Sequence, residues 1–426
     1  MTARATIVLV AASAVCACLV VAVIDCTSYE AKDPESVDAA SDAAAATDAD
    51  AAVADAALVP PCEANTFLDE TAPWPLVGGC ASNVGRSAYA GPRVAPARRW
   101  QQALPGTDYG PPALTHDAIV FGVEDGQHGV VAFALDGRSL WSAPVKNSCC
   151  GGISVARGGI ILAGTGNAVT ALSAAGGVAG AAFFPHEVDV APTISPSGSV
   201  LIGTITNPGQ TNEIASLDLA LTTKWLLPQD ASSVSGELAV AADGRVIVGV
   251  DDGTLRALLP DGGMSWSTLL PNPPATGPVV ENGAIYVITT SGELRAFDLE
   301  GGPKWAFSTG LRDGGASAAR LGLAIARDGT VYVPGTSTLV ALNPDGSTKW
   351  TYPTVATVSG HVIVDAEGTI FVVTLDSFLH AIAPDGTARW APVRIAGLGA
   401  GLAIGANRLI YVVSRGPSAV EAFGEP

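Results

Sequence analysis

The stretch LVALNPDGSTKW (339–350) returns forty residues later as LHAIAPDGTARW (379–390). Three positions hold the frame: an Ala, then after four residues a Gly, then after three more a Trp. The frame is complete at Ala132/Gly137/Trp141, Ala257/Gly262/Trp266, Ala296/Gly301/Trp305, Ala341/Gly346/Trp350 and Ala381/Gly386/Trp390. Two copies keep it in degraded form. One has Ser216 and Leu221 before Trp225, and the other has Ala171 and Gly176 but Gly180 where the Trp belongs. Counted along the tryptophans, the unit is about 41 residues long.

Within a unit the pattern is that of short strands. GTVYVPG (329–335) and GTIFVVT (368–374) alternate large apolar with small residues, as a half-buried strand requires. Pro-Asp-Gly then supplies a fixed φ, an Asx-type hydrogen bond and a permissive glycine, which together make a hairpin turn. The Trp opens the outermost strand. Four strands in about 41 residues with one docking aromatic specify an all-β fold, a single β-propeller of four-stranded blades. Stacking the blades buries faces that one blade alone would expose.

The ends of the chain indicate how the ring closes. The last copy, RLIYVVSRGPSAVEAFGEP (408–426), stops before its Trp, while a spare Trp100 lies ahead of the first complete copy. The N-terminal segment is therefore predicted to supply the last blade's outer strand, which removes an exposed sheet edge. This gives eight blades over 97–426; seven is the alternative, because the copy at 153–193 is weak.

Upstream, Ala5–Ile24 is a small and apolar run behind Arg4, a signal-type or anchor segment over 1–26. Cys26 at its end, or Cys18 within it, is the candidate lipidation site. Residues 27–61 form an Ala/Asp-rich low-complexity tether, and 62–96 a lead-in to the propeller. The chain is thus expected to be exported in a bacterium, to the periplasm or cell surface and anchored to a membrane, where disulfides are permitted. Cys62 and Cys80 flank the lead-in and are a candidate pair. The chain's net charge is −18, and residues 25–73 alone carry 12 acids and one Lys. The acidity therefore belongs largely to the tether, and it disfavours a nucleic-acid partner.

The repeat resembles the PQQ-like β-propeller family, whose tryptophan-docking motif ends in a Gly followed four residues later by a Trp. WPLVGGCASNVGRSAYAGP (74–92) is similar to the lead-in of exported members. The resemblance implies docking roles for Trp100, Trp141, Trp225, Trp266, Trp305, Trp350 and Trp390. It also implies one of two functions. Some members are dehydrogenases holding pyrroloquinoline quinone and calcium over the channel, with a vicinal disulfide against the quinone; here Cys149-Cys150 would take that place, although the pair is read first as a structural or redox-labile disulfide. Others are binding scaffolds of the outer-membrane assembly machinery. The links predicted to face the channel, SVSG (233–236), ATG (275–277), VSG (358–360) and LGAG (398–401), are small and mostly apolar, with Asp108 and Asp189 the nearby carboxylates. That is too little for acid–base work. The five histidines have no metal spacing, and His380, aligned with Arg256, Arg295 and Val340, is predicted to be a surface strand residue. The reading is therefore a scaffold with no catalytic residues, no favoured cofactor and a monomeric body. Its partner is expected to be an envelope or extracellular protein. A quinone-dependent enzyme and a glycan-binding surface protein are the alternatives.

Overall fold

A computed structural model describes residues 65–426, apart from 107, 125–128, 146–151, 189, 206–211, 230–231 and 312–320. Cys18, Cys26, Cys62, Cys149, Cys150 and Asp189 lie outside the described residues. So do the signal segment and the tether.

Eight antiparallel sheets follow one another along the chain. Blade 1 spans 113–143, blade 2 153–183, blade 3 193–229 and blade 4 239–269. Blade 5 spans 279–308, blade 6 324–353 and blade 7 358–394. Blade 8 takes three strands from 398–424 and its outer strand from Ala97–Ala103, paired from Ala97↔Gly424 to Ala103↔Ala419. Blade 1 carries an extra short strand, Asp108–Tyr109, against Glu124 and Val123. No helix occurs among the described residues. The weak copy at 153–193 forms a full four-stranded blade, which decides for eight rather than seven.

The repeat frame acts between blades. Within a blade the Trp sits opposite the frame's small residue, as in Ala341↔Trp350 and Ala296↔Trp305. It packs on an aromatic of the second strand where one is present, at 5.6 Å for Tyr332 and Trp350. Its Nε1 then donates across to the next blade's hairpin. Trp100, Trp141, Trp225, Trp266, Trp305 and Trp350 donate to the carbonyls of Leu135, Ala174, Pro260, Leu299, Pro344 and Pro384 at 2.8–2.9 Å. Two residues past each carbonyl lies that blade's frame glycine, with φ between +80° and +91°. A Cβ built there would stand only 2.5–2.8 Å from the indole. The glycine is therefore fixed twice, by backbone handedness and by the ring lying on it.

Two junctions depart from this rule. Blade 2 has Gly180 in place of Trp, and the facing hairpin of blade 3 has Leu221 in place of Gly. Leu221 keeps the left-handed turn at φ +62° and the hairpin bond from its N–H to the Asp218 carbonyl at 3.0 Å. Its side chain packs against the core of blades 2 and 3. The knob has changed sides, so the two degraded copies form one reciprocal exchange. At the closing junction blade 8 has no such hairpin, since its last two strands come from opposite ends of the chain. Trp390 points instead to the Pro92 carbonyl, at 3.5 Å.

The structure corrects the reading of His380. It is 4% exposed, between the blades, with Nδ1 3.4 Å from the Tyr352 hydroxyl of blade 6. Its strand position faces the preceding blade rather than solvent.

Candidate functional site

The central channel is filled from one end by the lead-in segment. The backbone of residues 67–87 bonds the innermost strands near the ends at which they leave the axis. Leu114 and Val155 donate to the carbonyls of Trp74 and Pro75, Val240 to Ala81, Val280 to Ser82, Ile325 to Val84 and Val364 to Gly85, at 2.7–3.0 Å. The Asn65 side chain adds the Ile194 carbonyl of blade 3 at 2.7 Å. Seven blades are thus tied to one strand of chain. The segment's small residues permit this path; a Cβ on Gly85, at φ +67°, would stand 2.7 Å from the Val362 carbonyl.

Its side chains bury like core. Trp74, Leu76, Val77, Cys80 and Val84 are at most 2% exposed. Cys80 is disulfide-bonded, and Cys62, the partner expected from the sequence, lies outside the described residues. Arg86, 7% exposed, pairs with Glu281 at 2.7 Å and donates to the Ile325 carbonyl. Asn83 donates to the Leu238 and Pro278 carbonyls, while its Oδ1 has no partner among the described residues.

At the opposite end the links predicted from the sequence meet around the axis. A Cβ on Gly277 would stand 2.4 Å from the Glu237 carbonyl, and one on Gly322 only 1.9 Å from the His361 ring. Among the described residues, this packing brings the titratable groups Glu237 and His361 against the links. Burial holds the His361 imidazole below its usual range, with the Glu237 charge acting in the opposite direction. Sequence reading missed both, although each directly follows one of its small links. Asp108 is held in the extra strand of blade 1, away from this pair in sequence and sheet.

The residues singled out for a quinone, Cys149 and Cys150, and the channel-side Asp189 lie outside the described residues. Among the described residues, no three His, Cys, Asp or Glu come together as a metal-holding group. Arg86, a cation that could face the carboxylates of a quinone, is already paired to Glu281 at the plugged end.

Beside the plug, a cleft of about 270 Å³ opens between the turns of blades 6 and 7, with Arg86, Arg327, Asp328, Asp365 and Glu367 in its wall. Its charges are largely spoken for. Glu367 takes Arg93, Arg408 and Arg389 at 2.5, 3.1 and 3.4 Å. The hydrogen bond from Arg93, against some burial, brings its carboxyl down to about 2. Asp365 is pushed upward by burial even though it accepts bonds from the N–H groups of Gly91, Glu367 and Thr369.

A family model described as outer membrane protein assembly factor BamB matches residues 205–423. Among solved structures, BamB from Moraxella catarrhalis is 20% identical with a TM-score of 0.58, over 77% of this chain and 97% of that one. Quinohemoprotein alcohol dehydrogenase from Comamonas testosteroni is 14% identical at 0.66, over 83% and 81%. The quinohemoprotein alcohol dehydrogenase ADHIIG from Pseudomonas putida HK5 is 13% identical at 0.69, over 84% and 82%. At these identities the likeness is one of fold. No curated protein matches the sequence.

Proposed function

This chain belongs to the PQQ-like β-propeller family described as outer membrane protein assembly factor BamB, and on that premise we propose that it is an exported, membrane-tethered scaffold that binds a protein of the cell envelope. The observation that carries the reading is the plug. A channel stitched to the chain's own lead-in through seven blades makes the ring a rigid solid body. Its variable rims and faces are then the surfaces that work. A fold shared with dehydrogenases does not by itself bring their chemistry. The anchor is the N-terminal segment, with Cys26 (Cys18 as the alternative) as its lipid-bearing residue.

Photo-cross-linking from the rims in native envelopes is the direct test. The expected result is an envelope protein captured from membrane fractions, with labelled fatty acid incorporated and lost in Cys26→Ser. Quinone-dependent dye reduction after adding pyrroloquinoline quinone and calcium would overturn the scaffold reading. Selective retention on a glycan array, with no protein captured, would move the partner to a sugar.

A further inference from the structure

Two links between blades share one backbone conformation at the same repeat position and fill it differently. Five residues after Trp305, in the link from blade 5 to blade 6, stands Gly310 with φ +73°. Five residues after Trp350, in the link from blade 6 to blade 7, stands Val355 with φ +68°. The threonine before each is buried and anchored alike. The Thr309 N–H donates to the Gly292 carbonyl and the Thr354 N–H to the Ser337 carbonyl, both at 2.9 Å. Left-handed backbone suits glycine and strains a β-branched side chain. Val355 is the only β-branched residue with positive φ among the described residues.

No contact within the fold offsets that strain. Val355 is 84% exposed, more than any other large apolar residue among the described ones. The turn is nonetheless fixed at both ends. Thr354 and Val358 are fully buried. The Thr354 hydroxyl donates to the Ala356 carbonyl at 2.7 Å, and the Val358 N–H to the Gly335 carbonyl at 3.3 Å. A rigid turn thus displays an aliphatic tip where the preceding link, in the same conformation, displays none. Strain kept at an exposed position without an internal partner points outward, to a ligand.

The tip has apolar neighbours at this end of the ring, opposite the plug. The Leu375 N–H donates to the Thr357 carbonyl at 3.0 Å, and the Ser359 hydroxyl to the Gly399 carbonyl at 2.6 Å. The link is thereby tied to blades 7 and 8, where Leu375 is 39% and Leu398 41% exposed. PTVATVSG (353–360) and the facing hairpin GTST (335–338) hold no acid or base. The Asp376 carboxylate, beside Leu375, is taken by the Thr374 hydroxyl at 2.5 Å.

We propose that Val355, with Leu375 and Leu398 beside it, is the anchor on which the scaffold seats an uncharged apolar pocket of its protein partner. The proposal rests on the scaffold reading and names its working face. Charge decides for a protein pocket. An anionic lipid surface is drawn by lysine and arginine, and the tip and its facing hairpin carry neither. Thr336, Ser337 and Thr357 instead set hydroxyls around an aliphatic centre, the polar rim and apolar middle of a protein interface.

The photo-reactive residue p-benzoylphenylalanine, placed at Ser337 of the full-length chain and irradiated in native envelopes, tests it. One protein adduct is expected with Val355 in place. Val355→Gly copies the blade 5 link and Val355→Asn tolerates the same turn; each should lower that adduct at least about tenfold. Their melting temperatures should stay within about 1 °C of wild type or rise, because the strain leaves with the side chain. Val355→Ile keeps the aliphatic tip and should keep the adduct. Leu269→Asn, at an outer-strand position 76% exposed, should leave it unchanged. An adduct retained in Val355→Gly overturns the proposal, as does an adduct that falls only in step with melting temperature. An adduct to lipid or to a second copy of the chain overturns it too. Protein captured by the same probe at Leu269 but not at Ser337 would sink this inference and leave the scaffold reading intact. Capture from neither position would sink both.

Discussion

The junction between blades 6 and 7 and the junction between blades 2 and 3 solve one packing problem in opposite ways. At the first, Trp350 reaches over Gly386 and donates to the Pro384 carbonyl at 2.9 Å. At the second, the reaching side is bare at Gly180, and the receiving side carries Leu221 in the same left-handed turn. The comparison teaches that Trp and Gly of one repeat are not partners. Each Trp belongs with the next repeat's glycine, so a loss on one side can be met only by a gain on the other. The closing junction varies the theme, with Pro92 from the lead-in standing in for a hairpin that the chain ends cannot form.

The strongest break of that rule is Gly386→Leu alone. The new Cβ would sit 2.7 Å from Trp350 at φ +87°, combining overpacking with a disfavoured turn, for a loss of about 4 kcal/mol. Trp350→Gly alone should cost about 3 kcal/mol by opening a cavity. The double variant imitates the blade 2–3 junction and should recover at least half of the summed loss in denaturant unfolding. Simple additivity would show that Leu221 does not replace an indole.

At the closing blade, Glu421 is fully buried and bonded to Arg98 at 2.7 Å and to the Ala396 N–H at 2.7 Å. Arg98 also lies over the Phe423 ring. Arg98→Ala strands that carboxylate. Because Arg98 is itself partly exposed, the expected loss is about 2 kcal/mol rather than the larger value of a fully buried pair. Hydrogen exchange should show the strand Ala97–Ala103 opening before any other outer strand. An even loss of protection over all blades would argue that closure does not depend on this pair.

Restoring the rule at the odd junction should have a smaller effect. Gly180→Trp alone meets Leu221 and should be neutral or destabilising. With Leu221→Gly added, the indole can donate to the Leu219 carbonyl, and the pair should stabilise by about 1 kcal/mol.

The sequence was explicit about what repeats and silent about what does not. Ala341/Gly346/Trp350 and its relatives gave strands, hairpins and blade number, because each blade must satisfy the same geometry. Trp100 and the truncated final copy gave the closure. The blade 2–3 exchange was visible as two degraded copies, but aligning copies sets residues side by side within a unit, whereas the contact crosses units. His380 was misplaced for a related reason. Its repeat position matches Arg256 and Arg295, which are themselves half-buried between blades, where a long side chain can still reach a polar partner. The lead-in has no period at all. From the sequence it is a lead-in and no more, and only the ring around it reveals a plug.

The smallest expected effect concerns the stand-in for the missing hairpin. Pro92 is held by its neighbours: the Gly91 N–H donates to Asp365 at 2.9 Å, Arg408 donates to the Gly91 carbonyl at 3.3 Å, and Arg93 and Arg408 both close on Glu367. The Glu367 carboxyl is lowered from 4.5 to about 2. An acid depressed in the fold contributes stability that is fully present above its unfolded value and fades as pH falls through 4.5 toward 2. Asp365, raised by burial, works the other way, because in the fold it takes up its proton above the unfolded value of 3.8, and that relief is complete once pH has fallen to that value. Melting temperature should therefore fall on acidification less steeply than Glu367 alone would dictate. Glu367→Gln should cost about 1 kcal/mol at neutral pH, since Arg93 is largely exposed and solvent screens the cluster. It should also flatten the curve between pH 4.5 and 2, whereas Asp365→Asn should steepen it. Parallel curves for wild type and Glu367→Gln would mean that the Arg93–Glu367–Arg408 cluster does not hold the seat of Trp390.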